Sequence, residues 1–103
     1  MKDQIFEYIK KNNHVSFAEL ENRIEGFCGD RSMRLERCEN IVLWDRISQE
    51  AIDAITALAK DDDIEVKQCR LLIYLIDGKA LDLPVAKTPK RKYKKLHWLP
   101  TVL

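Results

Sequence analysis

The chemistry this chain can offer is concentrated in one short run, KTPKRKYKKLHW, where Lys87, Lys90, Arg91, Lys92, Lys94 and Lys95 place six cations within nine residues. Such a cluster can neutralise phosphates and release their counterions, and Tyr93 within it or Trp98 just beyond could stack on a base or anchor the run. A solvated linker would have the same composition with no ligand at all, and acidic proteins or anionic lipid would also be attracted. Arg31, Arg34 and Arg37 recur at every third position and could line a second cationic patch, but Glu36 and Glu39 lie among them and could consume them in local ion pairs. Gln49, Thr56 and Lys60 fall on what reads as the solvent side of a helix, where they could donate to base edges. Glu50 and Asp53 share that side and would repel phosphate.

Catalytic and metal chemistry find little support. His14 and His97 lie at opposite ends of the chain, and neither accompanies a nucleophile elbow, a zincin helix or a glycine-rich phosphate loop. Cys28, Cys38 and Cys69 are an odd set without close pairing, so they read as free thiols rather than a disulfide framework or a CxxC motif. A zinc site from these cysteines and the two histidines would need ligands scattered along the whole chain, whereas structural zinc usually takes close-paired ones. Asp61, Asp62 and Asp63 could hold a divalent ion, although a hydrated turn is the far more common explanation of such a triplet. The expectation is a protein that is not an enzyme and needs no cofactor.

At 103 residues the chain fits one domain with a modest core, and its 46 % apolar and 34 % charged composition is that of a folded protein. Net charge is only +1, yet it is unevenly placed. Residues 1–82 hold 12 of the 18 Lys and Arg and all 17 Asp and Glu, a net of −5, while residues 83–103 hold six cations and no acid. An acidic body therefore carries a basic tail. The longest apolar run, Leu71 to Ile76, is strand-sized and too short for a bilayer. MKDQIFEYIKK alternates charged and apolar residues, unlike a secretory signal, so the expected location is cytoplasmic.

The elements that must position these groups follow from apolar spacing. Ile5, Phe6 and Ile9 predict a helix over residues 2–12, with an apolar face that could meet the core or a twin subunit. Ser16 with Glu19 forms a capping-box pattern opening a second helix through Phe17, Leu20 and Ile24, ended by Gly26. Residues 26–40 read as an irregular connection with a possible helical turn around Met33 to Arg37, and Ile41 to Trp44 as a short strand. Ser48 caps a third helix whose buried face is Ala51, Ile52, Ile55, Leu58 and Ala59, and the three aspartates stop it. Ile64 to Cys69 and Leu71 to Ile76 read as strands, with Asp77-Gly78 turning into a further strand near Ala80 to Leu83. Trp44 and Trp98 suit core or interface positions.

The stretches SQEAIDAITALAKDDDIEVKQCRLLIYLIDG and HVSFAELENRI resemble the winged helix-turn-helix superfamily, across roughly residues 2–78. The first is similar to a recognition helix running into a wing hairpin, the second to the family's short first strand and second helix. About twenty residues separate Ile24 from Ser48, where the family has a short turn. The expectation is an α+β, winged-helix-like domain over residues 1–86, with three main helices and a small antiparallel hairpin or meander. A basic segment over 87–95 and an apolar segment over 96–103 docking on the domain complete it. The resemblance implies a nucleic-acid-binding protein, DNA ahead of RNA, in a role such as transcriptional regulation. The alternative is a protein-interaction module on the same scaffold, gripping its partner through Glu50, Asp53 or an exposed aromatic surface.

Overall fold

In a computed structural model that describes residues 1–35 and 38–103, two helices open the chain. In α1 (Lys2–Lys11), Asp3 in the first turn and Lys10 and Lys11 in the last complement the helix dipole. Ile5 is buried, and Phe6 and Ile9 pack partly buried against the domain's own core, so the apolar face of α1 is turned inward. In α2 (Phe17–Arg23), the Ser16 Oγ accepts the Glu19 N–H at 3.0 Å. The Glu19 carboxylate accepts from the Tyr8 hydroxyl, which ties α2 to α1. That acceptor also raises the Tyr8 phenol above its ordinary pKa, because ionising it would set two anions together.

The stretch read from sequence as an irregular connection is a hairpin. β1 (Cys28–Leu35) pairs antiparallel with β2 (Cys38–Ile47), and the expected strand Ile41 to Trp44 is the middle of β2. The helical turn expected around Met33 to Arg37 extends beyond the described residues; its described part, Met33 to Leu35, is strand. β1 is a sheet edge, largely exposed and interrupted by register shifts, so it carries no alternating apolar signature to read. Gly29 is required where the hairpin passes the start of the third helix. A Cβ there would lie 2.4 Å from the Ser48 Cα.

α3 (Gln49–Lys60) begins where the Ser48 Oγ accepts the Ala51 N–H at 3.1 Å. It buries Ala51, Ala54, Ile55 and Leu58 and packs against α1 and β1. The exposed Asp61 to Asp63 turn that follows carries Asp62 at φ 58°.

Beyond α3 the expected wing is replaced by other elements. Of Ile64 to Cys69, only β3 (Lys67–Gln68) is strand, and Leu71 to Ile76 lies within α4 (Leu71–Asp77). Six consecutive apolar residues have no period, so helix and strand cannot be told apart from them. Asp77-Gly78 is a helix end rather than a hairpin turn. Gly78 sits at φ 81°, with its N–H on the Leu75 carbonyl and the Lys79 N–H on the Tyr74 carbonyl, the Schellman arrangement. Ala80 to Leu83 forms no strand.

The last residues close the structure. β4 (His97–Trp98) adds to β2 in parallel, giving the sheet order β1-β2-β4, and β5 (Thr101–Val102) pairs antiparallel with β3. Trp44 and Trp98 are both core residues, 1 % and 0 % exposed. Trp44 stacks on Phe17 at 6.2 Å and leans on Tyr74 and Trp98, whose rings meet edge to face at 4.8 Å. The Tyr74 hydroxyl donates to the Thr101 carbonyl at 2.6 Å and accepts the Phe17 N–H at 3.1 Å. Among the described residues no helix is long and apolar enough to cross a membrane.

Two consequences are measurable. Tyr74→Phe leaves one buried donor and one buried acceptor unpaired, so chemical denaturation should show a loss of about 2 kcal/mol. Burial also raises the Tyr74 phenol well above its ordinary value and pushes the Cys69 thiol up to about 11. A raised folded-state pKa means that the unfolded chain ionises first. Stability from these groups is thus complete below the ordinary thiol value of 9.0 and is lost as pH climbs through the folded values. The urea midpoint should fall from pH 9 upward, and Tyr74→Phe should show a shallower fall above pH 10.

Candidate nucleic-acid interface and adjoining cleft

The basic segment is a closed loop fastened at its base. The Ala86 N–H reaches the Trp98 carbonyl at 2.7 Å, the Trp98 N–H reaches the Pro84 carbonyl at 2.8 Å, and the Trp98 Nε1–H donates to the Leu43 carbonyl at 3.2 Å. Both ends of the loop therefore rest on the edge of the sheet. Within it, the Tyr93 hydroxyl accepts the Lys87 N–H at 3.2 Å and faces the Thr88 carbonyl at 3.4 Å, while Asn40 of β2 donates to the Tyr93 carbonyl at 2.7 Å. Lys87, Lys90, Arg91, Lys92, Lys94 and Lys95 are all exposed, and none of them forms an ion pair with another described residue.

Tyr93 has a different part from the base-stacking one read from sequence. Its ring stacks on His97 at 4.1 Å, Arg91 lies 5.8 Å from its centroid, and its hydroxyl is engaged inside the loop. It serves as the internal pin of the loop. Trp98, buried and hydrogen-bonded through its indole, is likewise an anchor rather than a stacking platform. The structural role of Asn40 escaped the sequence reading, since nothing in the spacing announces its partner Tyr93, 53 residues on, and so did the stacking of His97 on Tyr93.

The remaining candidates divide between two places. Gln49 and Lys60 stand at opposite ends of α3, and the Gln49 amide donates to Asp53 on its own helix at 2.9 Å. Arg31 lies near Asp30 at 3.9 Å. Arg37 lies outside the described residues. The Arg34 guanidinium donates to the Glu39 carbonyl at 3.3 Å, one residue before the Asn40 that holds Tyr93.

Arg34 also lines a cleft of about 400 Å³ at the edge of the loop. Ser32 and Arg34 come from β1, and Val42, Trp44, Asp45 and Arg46 from β2. Residues 79–83 and Leu96, directly after Lys95, close it. Lys79 pairs with Glu21 at one side. Arg34, Arg46, Asp45 and Asp82 form no ion pair among the described residues. The Trp44 indole N–H is the buried side-chain polar group left without a hydrogen-bond partner among the described residues. Arg46 adopts φ 54°, the left-handed region that an L side chain occupies at a cost of about 1 to 2 kcal/mol.

The thiols lie elsewhere. Cys28 is exposed, Cys38 and Cys69 are half-buried, and none is joined to another. Burial raises the Cys28 thiol, and the neighbouring Glu21 carboxylate adds to the effect. Among the described residues, no three His, Cys, Asp or Glu side chains converge as a metal set would. The chain is thus an α+β domain carrying a fastened cationic loop beside a polar-rimmed cleft. Comparison with family models, characterised proteins and solved structures finds no match.

The strain at Arg46 separates stability from function. Arg46→Gly removes an exposed side chain and relieves the left-handed backbone, so thermal denaturation should show a gain of up to about 1 kcal/mol. An equal loss would mean that the guanidinium supports the fold.

Proposed function

We propose that this chain is a non-catalytic nucleic-acid-binding protein whose contact with phosphate is made by the loop 87–95. The observation that carries the reading is that six exposed cations stand on one anchored loop without carboxylate partners among the described residues. Because Tyr93 and Asn40 hold the loop in shape, less ordering entropy is spent on binding than a free tail would require. Arg34 extends the cationic surface onto the hairpin. Gln49 and Lys60 on α3 stay outside the contact, since Asp53 and Glu50 share their helix side.

The winged-helix resemblance favours the same function, with DNA as the target and transcriptional regulation as the role. Its expected wing coincides with α4, and the hairpin of this fold precedes α3 instead. The binding proposed is therefore by loop and sheet edge, not by recognition helix and wing.

The test is an anisotropy titration against duplex and single-stranded oligonucleotides at two salt concentrations. The combined substitution of Lys90, Arg91, Lys92, Lys94 and Lys95 by Gln should weaken binding and flatten its salt dependence. For each phosphate contact removed, the log–log slope should fall by about 0.9 on duplex and about 0.7 on single strands. Unchanged affinity and slope would remove the loop from the interface.

A second reading, binding to another protein, draws on α4. Leu72, Leu75 and Ile76 are 57 %, 59 % and 75 % exposed on one short helix, an apolar face of the kind that marks interaction surfaces. Partners captured by the purified chain and retained after nuclease treatment would favour it. Ile76→Glu should then abolish that capture while changing stability by no more than about 0.5 kcal/mol.

A further inference from the structure

The exposed apolar side chains of this domain are gathered in one part of the chain. Among the described residues, every large apolar side chain that stands exposed falls between Val66 and Leu96, and four of them, Leu71, Leu72, Leu75 and Ile76, belong to α4. The same stretch holds nine of the 18 Lys and Arg but only two of the 17 acids, Asp77 and Asp82. Asp77 already accepts the Ser16 hydroxyl at 2.5 Å. Residues 66–96 thus carry a net +7, and residues 1–65 a net −6. Apolar exposure and positive charge coincide.

Two contacts hold α4 near the cationic loop. The Gln68 side-chain amide donates to the Lys87 carbonyl at 3.0 Å, and Leu72 follows Gln68 by four residues, so its backbone lies within roughly 14 Å of Gln68 even for an extended chain. Trp98, which closes the loop, meets Tyr74 of α4 edge to face at 4.8 Å. Leu72 and Ile76 each stand two residues from Tyr74, about 200° around the helix axis, so the packing that turns Tyr74 inward turns them outward. At the two ends of the loop, Val85 and Leu96 are exposed next to Ala86 and Lys95.

Nucleic acid would engage the cations and leave the apolar ridge of α4 in water. A lipid surface takes both kinds of group: anionic headgroups pair with lysine and arginine, and the interfacial layer beneath receives leucine and isoleucine without needing a matching groove. Stable attachment generally takes two such signals, because either alone gives marginal, reversible binding. We propose that the domain docks on the surface of an anionic lipid bilayer, α4 entering the interface through Leu72, Leu75 and Ile76 while the cations of loop 87–95 hold the headgroups. The bilayer is not crossed. This docking shares the loop with the nucleic-acid reading but rests on α4, which that reading leaves unused.

Co-sedimentation with two kinds of vesicle tests the docking: pure phosphatidylcholine, and an equimolar mixture of phosphatidylcholine and phosphatidylserine. The chain should pellet with the mixed vesicles, less so as salt is raised, and stay in solution with the neutral ones. Exchanging Leu72, Leu75 and Ile76 together for Ser, at positions whose side chains are exposed, should weaken partition to the mixed vesicles at least about tenfold. Oligonucleotide affinity should be unchanged by the same exchange. Ile76→Trp reports insertion directly: the emission of the added indole should shift to the blue with mixed vesicles, whereas Trp44 and Trp98 are already buried. Absence from the mixed-vesicle pellet, a triple exchange without effect, or an unshifted Ile76→Trp emission each overturns the proposal. Equal sedimentation with neutral vesicles overturns the part given to the loop cations. Nucleic-acid binding is read separately from the oligonucleotide titration, so the failure of one leaves the other standing.

Discussion

The Tyr74 hydroxyl is the point at which three separate parts of the chain are fastened together. It takes the Phe17 N–H at the start of α2 and gives its proton to the Thr101 carbonyl in the closing strand, while its ring lies between Trp44 and Trp98. Burial makes both hydrogen bonds obligatory, because neither backbone group has water to fall back on. Tyr74 is the buried residue of α4, whose last residue, Asp77, also accepts the Ser16 hydroxyl at 2.5 Å, while Leu72, Leu75 and Ile76 face outward.

From that point the rest of the architecture follows in order. Trp98, set edge-on to Tyr74, brings β4 onto the margin of β2 and fastens both ends of the basic loop. Trp44, leaning on the same ring, is among the residues that line the cleft. Loop and cleft are thus neighbours because their anchors share one aromatic cluster. The same packing that excludes water leaves the Trp44 N–H without a hydrogen-bond partner among the described residues.

The distribution of charge is consistent with this division of labour. Carboxylates of the body pair with its own cations, as Glu7 does with Lys10, whose ammonium lowers the Glu7 pKa, and Glu21 with Lys79. The exposed Glu7–Lys10 pair adds little stability. The relevance of these pairs is that the acidic body leaves the cations at 87–95 available to solvent, because the loop is carried on the sheet edge.

The sequence by itself determined the helices with short-range signatures: the Ser16 and Ser48 caps, the apolar stripe of α3, the dipole-matched ends of α1, and the cationic run at 87–95. Each of these is a relation between residues at most a few positions apart, and local physics suffices to read it. Tertiary structure alone decided the β1–β2 hairpin, whose edge strand owes its order to its partner, and the helical state of Leu71 to Ile76, where unbroken apolarity erases the period. It also decided that Tyr93 is a pin, that Arg34 donates to the Glu39 carbonyl, and that a cleft exists. These outcomes depend on contacts such as Asn40 with Tyr93 and Tyr74 with Thr101, which chain separation hides until the core has formed.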